Sequence, residues 1–220
     1  MDGLLLDTET AYTVAQQEIL TRFGKEFTWT LKAKMMGKKA LDAAQVLIED
    51  LDLAGQITAE EFVAERETIL DVLFSRSGLL PGVDRLVRHL SSNKVPIAVA
   101  TSSHRRHFEL KTSLHTELFG LFDVVVTGDA VAKGKPAPDI FLLALVQLSA
   151  AVGDPGLSPR STLVFEDAPS GVDAGLAAGM QVVMVPDSNL DAALRGKAHQ
   201  ELGSLESFDP VCWGLPPFPQ

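Results

Sequence analysis

The sequence predicts an α/β fold, a parallel sheet layered with helices and joined to a separate helical segment, and three observations carry that expectation. Short apolar runs, "VPIAVATSS", "FDVVVTGD", "STLVFEDAPSG" and "QVVMVPD", recur from Leu79 onward. Each suits a strand buried on both faces. Amphipathic stretches alternate with these runs, which is the pattern of βαβ units. Ahead of them, residues 10–78 show helical periodicity with almost no β-branched run, and Gly24, Gly37, Gly55 and Gly78 act as stops. The expected organisation is therefore a discontinuous α/β core, residues 1–9 with 79–220, around a helical segment at 10–78.

In chain order, the four apolar runs give the strands. Helices are expected at 82–93, 106–118, 138–148 and 169–178, the last two opened by Pro138 and Pro169, which suit a first helical turn because proline has no N–H to leave unpaired. The tail from Phe208, "FDPVCWGLPPFPQ", is expected to be irregular surface chain. Each strand runs into a polar cluster, and open α/β sheets bind ligands at the carboxyl ends of their strands.

Composition narrows the partners. The 220 residues carry a formal net charge of −10, which repels a nucleic-acid backbone or an anionic membrane. The apolar runs fall well short of the roughly 18 residues a membrane span requires. The lone Cys212 cannot form an internal disulfide, and no basic-then-apolar leader is visible. The reading is a cytoplasmic monomer acting on a small molecule, with neither nucleic acid nor membrane as partner.

Three groups of residues could carry chemistry. Thr101, Ser102 and Ser103 follow a strand and could hold a phosphate through hydroxyls and N–H groups, although such residues also cap helices. Lys135 is followed by the stiffening Pro136 and Pro138 in "KGKPAPD" and offers one placed cation, or an ordinary surface lysine. Glu166 and Asp167 are adjacent carboxylates at a strand end; their mutual repulsion suits a cation, and hard oxygens suit Mg²⁺, while an N-cap pair is the plain alternative.

A hydroxyl, a lysine and an acidic pair at three successive strand ends, together with "DGLLLDT" from Asp2, resemble the haloacid dehalogenase-like hydrolases. The first motif of that family is Asp-x-Asp-Gly-x-x-x-Asp-[Thr/Ser]. Thr101 matches the second motif, Lys135 the third, Glu166 and Asp167 the fourth. Within the family, "MGKKALDAAQ", "GKPAPDIF", "VFEDAPSGV" and "AAGMQVVMVPD" are similar to phosphatases acting on pseudouridine 5′-phosphate. The resemblance implies a three-layer Rossmannoid core with a small helical cap. It also implies a Mg²⁺-dependent phosphomonoesterase for a small sugar or nucleoside phosphate. A phosphomutase of the β-phosphoglucomutase type and a non-catalytic phosphate binder are the alternatives.

Residue by residue, the resemblance makes Asp2 the acid and base, with its backbone carbonyl on the metal. Glu166 and Asp167 complete the metal site, and Thr101 and Lys135 bind phosphoryl oxygens with Ser102 beside them. Lys38 and Lys39 of the helical segment could meet the substrate's phosphate or sugar hydroxyls, or simply face solvent; Trp29, Phe27 and Phe23 read as that segment's core. The family's attacking aspartate stands two residues ahead of the position matched by Asp2, on a strand in the middle of the sheet. That first strand is not among these 220 residues, so the expected sheet leaves two strands without a shared neighbour. Either the start was assigned at an internal Met or a shortened form exists; Leu4 could not serve as acid if Asp2 were the attacking group.

Overall fold

A computed structural model describes residues 1–35 and 40–219. The chain divides into two compact units, Thr8–Ser77 and Met1–Asp7 with Gly78–Gln220.

The first unit is helical: α1 (Glu9–Thr21), α2 (Trp29–Met35), α3 (Ala40–Asp50) and α4 (Ala59–Phe74). Leu20, Leu47, Leu53 and Phe62 are fully buried between the helices. Helix α4 opens with a capping box. The Thr58 hydroxyl accepts the Glu61 N–H at 3.2 Å and the Glu61 carboxylate accepts the Thr58 N–H at 2.9 Å, so two otherwise unpaired donors are satisfied together. Phe27 is buried and Phe23 partly buried against this core. Trp29 is not core: it is 37% exposed, and the Lys32 ammonium sits 5.1 Å from its ring centroid. Its place at the start of α2 turns it outward, and the cation covers one ring face. Lys38 and Lys39 lie outside the described residues.

The second unit holds α5 (Val83–Ser92), β1 (Ala98–Ala100), α6 (Arg105–Thr112), α7 (Thr116–Phe119), β2 (Val124–Val126), α8 (Asp139–Val152), β3 (Leu163–Glu166), α9 (Pro169–Ala177), β4 (Gln181–Met184) and β5 (Gln200–Glu201). All ladders are parallel: Ala98 pairs with Val124, Leu163 with Gln181 and Val183 with Gln200. The helix expected at 106–118 breaks in two. The Thr112 and Ser113 hydroxyls bond back to the Phe108 and Leu110 carbonyls, an alternative to the helical ladder that favours a turn at this point.

The strands form two sheets, β1-β2 and β3-β4-β5. Among the described residues β1 pairs only with β2, and β3 only with β4. A cavity of about 290 Å³ lies between them, lined by Ala98–Ala100 on one side and Leu163–Phe165 on the other. The tail is packed, contrary to expectation. Phe208 is buried with its ring edge-on to Phe165 at 4.9 Å, and His89 Nε2 donates to the Pro216 carbonyl at 2.8 Å. The Arg85 guanidinium lies 4.1 Å from the Phe218 ring. Prolines deny the tail a ladder, so its aromatic side chains supply the attachment instead.

Candidate active site

The amino-terminal loop is a tight fold-back. Gly3 takes φ +63°, a left-handed conformation that glycine adopts without Cβ strain. The Met1 carbonyl then accepts the N–H groups of Leu5 and Leu6 at 2.8 and 3.1 Å, and Asp2 is held beside the end of β1. There its carboxylate meets two groups from one short stretch: Ser103 Oγ donates to Oδ2 at 2.9 Å, and Lys111 Nζ donates to Oδ1 at 2.6 Å. Lys111 also donates to Ser103 Oγ at 3.0 Å, closing a triangle of carboxylate, hydroxyl and ammonium.

The Lys111 side chain is 1% exposed and that of Asp2 26%. Burial pushes the Asp2 carboxyl up, but the ammonium of Lys111, the amino group of Met1 and the hydrogen bonds from Lys111 and Ser103 outweigh it and hold it below the ordinary carboxylate range. Sequence reasoning offered Ser103 as a phosphate-holding group, not as a partner of Asp2, and did not assign Lys111. The available signal was the spacing of Phe108, Lys111 and Thr112, which share the buried face of α6.

Thr101 is 2% exposed; its N–H donates to the Val126 carbonyl at 3.0 Å and its hydroxyl accepts the Ser103 N–H at 3.1 Å. Ser102 points outward, and its backbone lies so close to Gly128 that a Cβ there would stand 2.3 Å from the Ser102 carbonyl oxygen. Glycine at 128 lets the exits of β1 and β2 touch.

Lys135 reaches two strand ends at once: its Nζ donates to the Ala100 carbonyl at 3.2 Å and to the Glu166 carboxylate. Both side chains of this pair are more than nine-tenths buried. Thus the carboxyl ends of β1 and β3 lie at one rim, with Thr101, Lys135 and Glu166 together and Asp2 reached through Ser103. Asp167, next on the chain, is half-buried.

Glu166 was expected beside Asp167 as a metal ligand, and the structure gives it another partner. Its carboxylate is held by Lys135 and lies over Gly171 in the first turn of α9, where a Cβ would stand 2.0 Å from Oε2. Gly171→Ala should therefore dislodge Glu166 from Lys135. We expect a loss of about 1–3 kcal/mol, the usual cost of overpacking, read as a lower urea midpoint. No set of three or more His, Cys, Asp or Glu side chains is arranged for a metal among the described residues. The Glu166 and Asp167 carboxylates and the Asp2 carbonyl all offer hard oxygens. That fits Mg²⁺, which commonly takes one or two carboxylates and completes its shell with water and substrate phosphate.

A family model described as haloacid dehalogenase-like hydrolase matches residues 1–179. The chain is 52% identical over 220 residues to the (DL)-glycerol-3-phosphatase 1, mitochondrial, of Arabidopsis thaliana, covering 99% of this chain and 72% of that protein. It is 45% identical over 223 residues to a probable pseudouridine-5′-phosphatase of Drosophila melanogaster, covering 99% of this chain and 93% of that protein. Its fold matches the crystal structure of a HAD family hydrolase from Deinococcus radiodurans R1 with bound phosphate and sodium, at TM-score 0.79 and 24% identity, covering 99% of this chain and 95% of that one. With these motifs at one rim of a parallel α/β core, the chain belongs to the haloacid dehalogenase-like hydrolases, among their phosphatases.

Proposed function

We propose that this chain belongs to a Mg²⁺-dependent phosphomonoesterase acting on a primary-alcohol phosphate of a small polyol or ribose. Glycerol 3-phosphate and pseudouridine 5′-phosphate, the substrates in the names of its two relatives, share that reacting group. The observation that supports it is Lys135, a buried cation fixed at the rim where the ends of β1 and β3 meet.

Lys135 and the Thr101 hydroxyl would bind the phosphoryl oxygens. Glu166 fixes the lysine in place. Asp2 would pass a proton to the leaving alkoxide and then take one from water, work generally worth about 10²–10⁴ in rate. Its carbonyl and Asp167 would hold Mg²⁺, which when bound offsets negative charge on the phosphoryl group. Attack on phosphorus needs a further carboxylate, which the family resemblance places two residues ahead of Asp2.

The test uses the 220-residue chain and the same chain preceded by an apolar strand whose penultimate residue before Asp2 is Asp. Expected results are Mg²⁺-dependent phosphate binding by the first in calorimetry, and phosphate release from both substrates by the second. Asp167→Asn should raise the Mg²⁺ concentration required at least about tenfold, a loss of ~1.4 kcal/mol in metal binding. Activity undiminished by EDTA would remove the metal from the proposal. Isomerised sugar phosphate in place of free phosphate, with a sugar 1-phosphate and a bisphosphate activator, would make the protein a mutase.

A further inference from the structure

We propose that Lys111 and Ser103 are positioning residues for Asp2, a pair that gives its two carboxylate oxygens different tasks and sets the acid at a fixed place beside the bound phosphoryl group. The inference rests on the phosphomonoesterase reading and names the groups that aim its proton transfer. An ammonium donates hydrogen bonds and never accepts them. The Ser103 hydroxyl therefore accepts from Lys111 at 3.0 Å and sends its own hydrogen to Asp2 Oδ2 at 2.9 Å. Oδ1 takes the Lys111 ammonium at 2.6 Å, a charge-assisted bond stronger than one from a neutral hydroxyl. The two oxygens are thereby unequal: Oδ1 is committed to the ammonium, and Oδ2 is left to exchange a proton with the ester. The Lys111 side chain is 1% exposed against 26% for Asp2, so the carboxylate is gripped from its buried side and open on the other.

Both holders are themselves held. Lys111 shares the buried face of α6 with Phe108, whose ring stands edge-on to Phe119 at 5.8 Å. Ser103 donates its N–H to Thr101 Oγ1 at 3.1 Å, and its carbonyl accepts the Gly128 N–H at 2.9 Å. Two residues on, the Arg105 N–H donates to Asp129 Oδ1 at 3.2 Å. Thr101, whose hydroxyl would bind a phosphoryl oxygen, and Ser103, which holds the acid, thus share one short segment pinned to the exit of β2. A misplacement of about 1 Å can cost about 10²-fold in rate, so this segment sets the spacing that proton transfer needs. In the step served, Asp2 gives its proton to the ester oxygen as the phosphorus–oxygen bond breaks. The electron pair of that bond stays on the oxygen, and the new bond to phosphorus comes from the attacking carboxylate. An alkyl leaving group needs the proton; nitrophenolate, stable as an anion, leaves without it.

The test compares kcat/KM for an alkyl ester, glycerol 3-phosphate or pseudouridine 5′-phosphate, with that for para-nitrophenyl phosphate, in the extended chain of the preceding test. This ratio reports only the steps through departure of the leaving group. Lys111→Met is expected to lower the alkyl-to-aryl ratio at least about tenfold, a share of the ~10²–10⁴ that acid–base help supplies. Ser103→Ala should lower the same ratio, and Ser103→Thr, which keeps the hydroxyl, should restore it. A purely structural role reduces both esters in proportion, so an unmoved ratio in Lys111→Met and Ser103→Ala overturns the proposal. If Lys111→Met does not fold, the two Ser103 variants decide alone. Failure of the unsubstituted extended chain to hydrolyse either ester removes the phosphomonoesterase reading and this inference together, whereas an active chain with an unmoved ratio removes the inference alone. A readout without turnover uses the 220-residue chain: NMR of isotope-labelled lysine ammonium groups should show a Lys111 resonance, identified by its loss in Lys111→Met, that is protected from solvent exchange and loses protection in Asp2→Ala. A Lys111 ammonium that exchanges as fast as surface lysines would also overturn the proposal.

Discussion

Lys135→Met is expected to lower the stability of the α/β unit by about 3–5 kcal/mol, the usual cost of removing one partner from a buried ion pair. The Lys135 and Glu166 side chains are 9% and 7% exposed, so water cannot readily take the place of the lost ammonium. The same substitution also removes the donor to the Ala100 carbonyl, the link between the ends of β1 and β3. Glu166→Gln keeps the shape and removes the charge, so the double variant Lys135→Met, Glu166→Gln should recover a large part of the loss. Urea unfolding of the three variants measures this. A double variant as unstable as the sum of the single ones would show that charge is not what couples them.

The second large effect is expected for Asp2→Ala, on the order of 2–4 kcal/mol, because it takes the carboxylate away from an ammonium that is 1% exposed. Lys111→Met should cost less, since the Asp2 side chain is 26% exposed and can be hydrated. The pH dependence has a definite sign. Burial raises the Asp2 carboxyl and Lys111 with its neighbours lowers it further, so the folded value lies below the ordinary one. A group depressed in the folded state contributes stability above its unfolded value, about 3.9, and loses it as pH falls through the folded value. The gap between the wild-type chain and Asp2→Ala should therefore be full above about pH 5 and shrink below about pH 4. Chemical unfolding at a series of pH values reads it directly; a gap that widened in acid would contradict the ion pair.

The strands and the rim were legible because they obey local rules. β-branched residues in "VVVTGD" and "QVVMVPD" leave little choice of conformation, Thr101 and Glu166 stand directly after apolar runs, and Lys135 is marked by the two prolines that follow it. The partner of Glu166 was not legible, because whether a carboxylate turns to a metal or to a lysine depends on α9 passing over it at Gly171, a tertiary event. Lys111 was hidden for a related reason. A lysine in "FELKTS" reads as a solvated helix face, and only the fold-back of the amino-terminal loop brings a carboxylate to it. β5 was missed because Gln200–Glu201 is two polar residues at a sheet edge, with neither alternation nor an apolar run to mark it. The tail read as loose because proline signals the absence of regular structure, while Phe208 and Phe218 pack through side chains alone.

The ladders are short-range in sequence: Ala98 with Val124, Leu163 with Gln181, Val183 with Gln200. On a ribosome, the β1-β2 half would already have emerged and found its register before the residues of β3 were made, and the β3-β4-β5 half would follow as its own cooperative unit. Lys135, placed between them in the chain and donating to both, is the group that would register their late docking. A nascent chain could thus reach two formed halves early, with fastening of the rim as the slow, final event.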